Sequence, residues 1–115
     1  MMHEESKIQQ QFVKWFRLQY PQLALLLFAV PNGGARRRVE AAIMKAEGTT
    51  AGVADLILLF PSKQYHGLCI EMKSKNGRQR PSQKMWQERV EWAGYKYVIA
   101  RSLDEAIYEV NTFLR

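Results

Sequence analysis

Cysteine is nearly absent from this chain: Cys69 is the only one in 115 residues, and it lies inside an apolar run. That excludes a disulfide framework and a thiolate zinc site, and it fits a reducing, cytoplasmic compartment. Histidine is scarce too. His3 and His66 have no partners at metal-ligand spacing and are expected at the surface. No apolar run is long, since the longest, Leu23 to Val30, falls far short of a bilayer span. A membrane partner is therefore not expected, and nothing calls for a small-molecule cofactor. The opening MMHEESK carries acids and no apolar stretch, so it does not read as a secretory signal. Acids are outnumbered, 11 against 17 lysines and arginines, giving a net charge of +6 and a pI near 9.7. That balance favours a polyanionic partner, nucleic acid before an acidic membrane surface. Neither a repeat nor a linker divides the chain, so residues 1–115 are expected to form one domain. A chain of this length buries roughly 65% of its extended surface, enough for a modest core.

What is present reads in order as α-β-α-β-β-α-β-α. Ile8, Phe12, Trp15 and Phe16 fall on one face of a helix over 5–19. LALLLFAV, 23–30, is a continuous apolar run of strand length, ended by the turn signal PNGG. A helix over 37–46 is closed by Gly48, and strands follow at about 53–60 and 67–73. A basic loop leads to a helix over 82–93 that Gly94 stops, then to a last strand, 95–101. Ser102 and Glu105 form a capping box for the closing helix, whose stripe is Leu103, Ile107, Val110 and Leu114. The alternation predicts an α/β fold, a four-strand mixed sheet with helices on both faces. Strands that are apolar throughout agree, because a sheet covered on both sides needs no polar face.

Three charges break that pattern. Asp55 interrupts the run over 53–60, and Glu71 and Lys73 interrupt the run over 67–73. Side chains alternate along a strand, so Glu71 and Lys73 share a face that Ile70 and Met72 do not. If the two strands pair, Asp55 approaches Glu71. Two carboxylates in a half-buried place repel, and a divalent cation between them removes the penalty. Oxygen ligands of this kind suit Mg²⁺ or Mn²⁺, which bind through a few carboxylates, waters and substrate phosphate. Lys73 beside them can orient a water or stabilise charge on a phosphate. Solvated strand-end charges are the plain alternative, with Glu71 and Lys73 a surface pair worth less than ~1 kcal/mol. An E-x-K triplet alone favours that reading; an acid one strand earlier shifts the balance toward a site. In the first helix, Glu5 falls between Phe12 and Phe16 on the apolar face, with Gln9 bordering it. Glu4 lies near the same stripe, so the pattern does not choose between the two acids.

Four short motifs occur in order: E-x-x-I-Q from Glu5, G-x-x-D-L-I-L-L from Gly52, I-E-M-K from Ile70 and S-Q-x-x-W from Ser82. In that order and spacing the chain resembles the VRR-NUC domain of the PD-(D/E)XK nuclease superfamily, in its short stand-alone phage and bacterial form. The resemblance covers roughly Glu5 to Ala106. It implies a restriction-endonuclease-like core and hydrolysis of DNA phosphodiesters. It also implies that Asp55, Glu71 and Glu5 hold metal, that Lys73 is the catalytic lysine, and that Gln83 completes the site. One position departs from the family: Ala54 stands where proline is usual, and proline there carries no chemistry.

Arg36, Arg37 and Arg38 stand at a helix start, where the macrodipole disfavours cations unless a phosphate binds. Lys75, Arg78 and Arg80 follow Lys73 in a loop expected to border the scissile strand. Contacts of this kind position a substrate and carry no base specificity. Cys69 and Met72 read as core, and Trp15, Trp86 and Trp92, at helical spacings, as packing residues. The reading that results is a metal-dependent DNA endonuclease. As a homodimer, which the resemblance implies for stand-alone members, it would resolve four-way (Holliday) junctions by paired nicks. The alternatives are a nucleic-acid-binding module without chemistry, a flap nuclease or other nuclease of the same superfamily, and a protein-interaction module.

Overall fold

Ile8, Phe12 and Phe16 recur at the spacing of one helical face, and that face is what α1 (Glu4–Gln19) buries. The structure is a computed structural model that describes residues 4–31 and 38–115. After α1 come a 3₁₀ helix over Pro21–Leu26, β1 (Leu27–Ala29), α2 (Arg38–Ala46), β2 (Leu56–Leu58) and β3 (Leu68–Met72). Then follow α3 (Pro81–Trp92), β4 (Lys96–Ala100) and α4 (Leu103–Leu114). The four strands lie in the order β1-β2-β3-β4, antiparallel up to β3 and parallel between β3 and β4. The parallel pair needs a crossover, and α3 supplies it.

Residue parity sorts the sheet into two faces. Leu56, Leu58, Leu68, Ile70, Met72, Val98 and Ala100 join Phe12, Phe16 and Val110 in the larger core, beneath α1 and α4. Cys69 and Tyr97 lie in a smaller cluster with Ile57, Ile99, Trp86 and Val90, beneath α3. Glu71 is in phase with Cys69, so its side chain falls under α3, at the strand end where that cluster stops. Helix ends follow the sequence signals. Ser102 Oγ accepts from Glu105 N at 3.1 Å, while Glu105 Oε1 accepts from Arg101 N at 2.7 Å, so the capping contact reaches one residue further back than expected. Gly94 takes the positive φ, 99°, that ends α3.

Three expectations need correction. The run 23–30 is not one strand: Pro21 starts a 3₁₀ helix, and only Leu27–Ala29 pairs in the sheet. Leu23 and Leu26 pack against the larger core from that turn, while Leu25 faces outward. Asp55 lies one residue before β2 rather than inside it. Trp92 is not a packing residue, being 78% exposed, whereas Trp15 and Trp86 pack against the two cores. Among the described residues no helix is long and apolar enough to cross a membrane.

Candidate active site

The register of β2 on β3 brings the acids together. Leu56 pairs with Ile70, so the next step outward sets Asp55 opposite Glu71. Two backbone contacts fix Asp55: its carbonyl accepts from Val30 N at 2.9 Å, and its Oδ2 accepts from Met72 N at 2.7 Å. Gly52 has φ 86°, and a Cβ there would meet the Ser82 carbonyl oxygen at 2.3 Å. Only glycine lets the loop before Asp55 lie against the first turn of α3. Ala54 is fully buried against the smaller cluster.

Gln83, buried in the first turn of α3, ties the charges to one another. Its Nε2 donates to Glu71 Oε2 at 2.9 Å. Its Oε1 accepts from Lys73 Nζ at 2.9 Å and from Arg80 N at 2.8 Å. Lys73 Nζ is 3.6 Å from Glu71 Oε2, and both side chains are buried. One amide thus sets the rotamers of an acid and a lysine and closes the N-terminal turn of its own helix. Glu5 Oε2 accepts from Ser74 N at 3.2 Å, which binds the start of α1 to the end of β3.

The electrostatics of this cluster are unfavourable as it stands. Burial raises the Glu71 carboxyl to about 7, and the charge of Asp55 adds to that, with Lys73 opposing. Burial likewise raises Asp55, against the Met72 hydrogen bond, and Glu5 pushes the same way as burial. The two carboxyls are close enough to share a proton. Glu71 Oε1 is the telling atom: it is buried and accepts no hydrogen bond from the described residues. Leaving such an oxygen unpaired costs about 1–3 kcal/mol, more for a charged group, and a cation removes the cost. No three His, Cys, Asp or Glu residues among those described converge on one point to hold a metal. Two carboxylates with water and phosphate are nonetheless the usual donor set of Mg²⁺. The residues therefore fit a hard divalent ion completed by substrate.

Asp55, Glu71, Lys73, Gln83 and Glu5 line one open cleft of about 740 Å³, together with Arg78 and Arg80. Of the two N-terminal acids, Glu5 lines the cleft and Glu4 is exposed. Lys75 is exposed on the neighbouring turn and Arg38 at the start of α2, while Arg36 and Arg37 lie outside the described residues. Arg101 escapes a reading of the sequence. Its Nη1 donates to the carbonyls of Ser74 at 2.9 Å and Gly77 at 2.7 Å, holding the turn that leads to Arg78 and Arg80. No spacing signals this, because the contact joins the end of β4 to a turn 24 to 27 residues earlier.

Topology and sheet-end cluster together define a class: a restriction-endonuclease-like core of the PD-(D/E)XK kind. The family model for the VRR-NUC domain matches residues 1–104. The chain belongs to the VRR-NUC domain family, which is of nuclease type. Among solved structures, it is similar to a VRR_NUC domain protein at 29% identity and a TM-score of 0.84. That match covers 98% of this chain and 89% of the other. A comparison with curated proteins finds no match.

Gln83 gives a first quantitative expectation. Gln83→Ala frees Lys73 Nζ and Glu71 Oε2 without removing a charge, so metal affinity or turnover should fall about 10- to 100-fold. Titration with Mn²⁺ followed by calorimetry checks it, and unchanged affinity and rate would show that the amide positions nothing.

Proposed function

We propose that this chain is a Mg²⁺- or Mn²⁺-dependent endonuclease that hydrolyses phosphodiester bonds in branched DNA. The single observation that carries the reading is Glu71 Oε1, a buried carboxylate oxygen with no donor among the described residues, facing a second acid beside a lysine. Asp55 and Glu71 would hold the ion, with Glu5 at the rim of the same cleft. When bound, a divalent ion supplies Lewis-acid charge beside the scissile phosphate. Lys73, aimed by Gln83, donates from Nζ to a phosphoryl oxygen or orients the attacking water. Water oxygen joins phosphorus, the bond to the leaving sugar oxygen breaks, and that oxygen takes up a proton. Arg78 and Arg80 bind the phosphates that flank the break, with Arg38 and Lys75 as further phosphate contacts. The direct test incubates the protein with branched, flapped and linear DNA in Mg²⁺, Mn²⁺, Ca²⁺ or EDTA. Cleavage is expected in the first two; Ca²⁺, larger and less demanding in geometry, should support binding with little turnover. Full activity in EDTA overturns the reading, and metal-independent binding without cleavage favours a binding module.

Arg78 and Arg80 make a separable contribution. Arg78→Ala with Arg80→Ala should weaken binding across all sequences and flatten the log–log salt slope by about 0.9 for each phosphate left without its cation. An unchanged slope would show that neither side chain meets a phosphate.

The reading includes a homodimer acting on four-way junctions. One such site cuts one strand, and a two-fold axis presents two sites to two strands. The surface supports a second copy. Helix α2 buries none of its residues, with Val39 69% and Ile43 52% exposed, and β1 is a sheet edge with Phe28 outward. Unpaired strand edges and exposed apolar faces are ordinarily covered. Light scattering at micromolar concentration is expected to give about twice the 13.4 kDa chain mass. A monomer mass would rule the dimer out. On a cruciform plasmid, linear product should form without accumulation of singly nicked circles.

A further inference from the structure

Beyond the cleft, α3 carries a second open groove of about 710 Å³, lined in part by Met85, Trp86, Arg89 and Trp92. Ala51 and Ser82 line both this groove and the cleft, so the two adjoin. Trp92 is 78% exposed and Met85 also faces outward, so one helix presents two large apolar side chains to water. The Arg89 guanidinium lies 5.2 Å from the centre of the Trp92 ring. Trp86, six residues earlier, is the indole that packs inward, against Tyr97 at 6.1 Å. Trp92 lies nine residues beyond Gln83 (92 − 83), about 13 Å along the helix at 1.5 Å per residue.

Resting on the nuclease reading above, we propose that this groove is a stacking platform for an unpaired nucleobase of the strand that enters the cleft, with Trp92 as its floor. An exposed indole offers a π-face that suits every base, and a guanidinium over the ring adds a cation for the adjoining phosphate. The charge pattern fits. Arg78 and Arg80 border the cleft, and Arg89 lies beside the indole, with Glu88 also on the groove wall. A base inside a duplex has both faces covered by its neighbours and cannot use the platform. The groove therefore favours substrates that free a base next to the cleavage point, at the crossover of a four-way junction or in a single-stranded extension, a preference that phosphate contacts alone cannot supply.

The test uses labelled oligonucleotides in Ca²⁺, comparing a fully paired duplex with the same duplex bearing a single-stranded extension. Trp92→Ala should weaken binding of the extended duplex by roughly 5- to 150-fold, from the usual range for base–aromatic stacking. Binding of the paired duplex should be nearly unaffected, and the salt slope unchanged, because the indole neutralises no phosphate. Trp92→Phe should restore most of the affinity. Equal losses on both substrates, no loss on either, or a change in slope would overturn the platform. So would a Trp92→Ala protein whose mass falls to the monomer while its DNA affinity is unchanged, since the indole then serves a second copy. The assay reads binding alone, so a protein that grips the extension in Ca²⁺ and cuts nothing in Mg²⁺ or Mn²⁺ overturns the nuclease reading and leaves the platform standing.

Discussion

Single replacement of Asp55, Glu71 or Lys73 with alanine is expected to lower DNA cleavage by about 10²- to 10³-fold or more, the lower bound being the scale of losing one preorganised group at a reaction centre. The loss should come from chemistry rather than folding. Asp55→Asn and Glu71→Gln separate the two, because each amide keeps the carboxylate's shape. In the Asp55→Asn protein the side-chain amide oxygen can still accept from Met72 N, as the Asp55 carboxylate does at 2.7 Å. What disappears is a negative charge in a place where burial and the neighbouring acid already oppose it. These variants should therefore be inactive and yet melt higher than the parent in EDTA, as expected where a site is kept strained for function. Cleavage assays beside thermal melts check both halves. Activity within tenfold of the parent in the Asp55→Asn protein would sink the assignment, whatever the melting temperature did.

Metal, proton and fold are expected to be linked at Glu71, and the sign is fixed by its raised pKa. The ordinary carboxyl value is 4.5, and in the fold it is about 7. Between those values the folded chain holds a proton that the unfolded chain has released. Stability from this source is complete below about pH 4.5 and is lost as pH rises through 7. Asp55 shifts in the same direction. At 1.36 kcal/mol per unit the Glu71 contribution is at most about 3 kcal/mol. In EDTA the melting temperature should thus fall between about pH 5 and pH 8. Mn²⁺ should reverse the fall at pH 8 and do little at pH 5.5, where protons compete for the same oxygens. Melting curves across that range with and without metal provide the measurement. A metal effect of equal size at both pH values would show that the ion binds elsewhere.

Much of the site is legible in the sequence because its signal is a contradiction. Charges inside otherwise apolar strands must be solvated, paired or functional, and two-residue periodicity says which of them share a face. Asp55, Glu71 and Lys73 could be read that way, and the glutamine after the basic loop followed from the family's motif order. The helices were legible for the opposite reason, since α1 and α4 keep a regular apolar stripe from end to end. The run over 23–30 was not. Eight apolar residues fit a strand or a buried turn equally by period, and Pro21, which opens the 3₁₀ helix, decides between them. Arg101 was invisible because its acceptors are backbone carbonyls, which every residue carries. Trp92 misled because spacing on a helix gives the direction of a side chain and not whether anything lies there to meet it.

The bonds made by Arg101 bear on how the protein meets a ligand. One guanidinium satisfies carbonyls of the turn at Ser74 and Gly77, and Glu5 takes the amide of Ser74 from the other side. The stretch that delivers Arg78 and Arg80 is thereby shaped during folding, by residues of α1 and of the approach to α4. Its conformational entropy is given up before any encounter, so association need not order it again. On the nuclease reading, capture of a polyanion by such a surface is docking between preformed shapes.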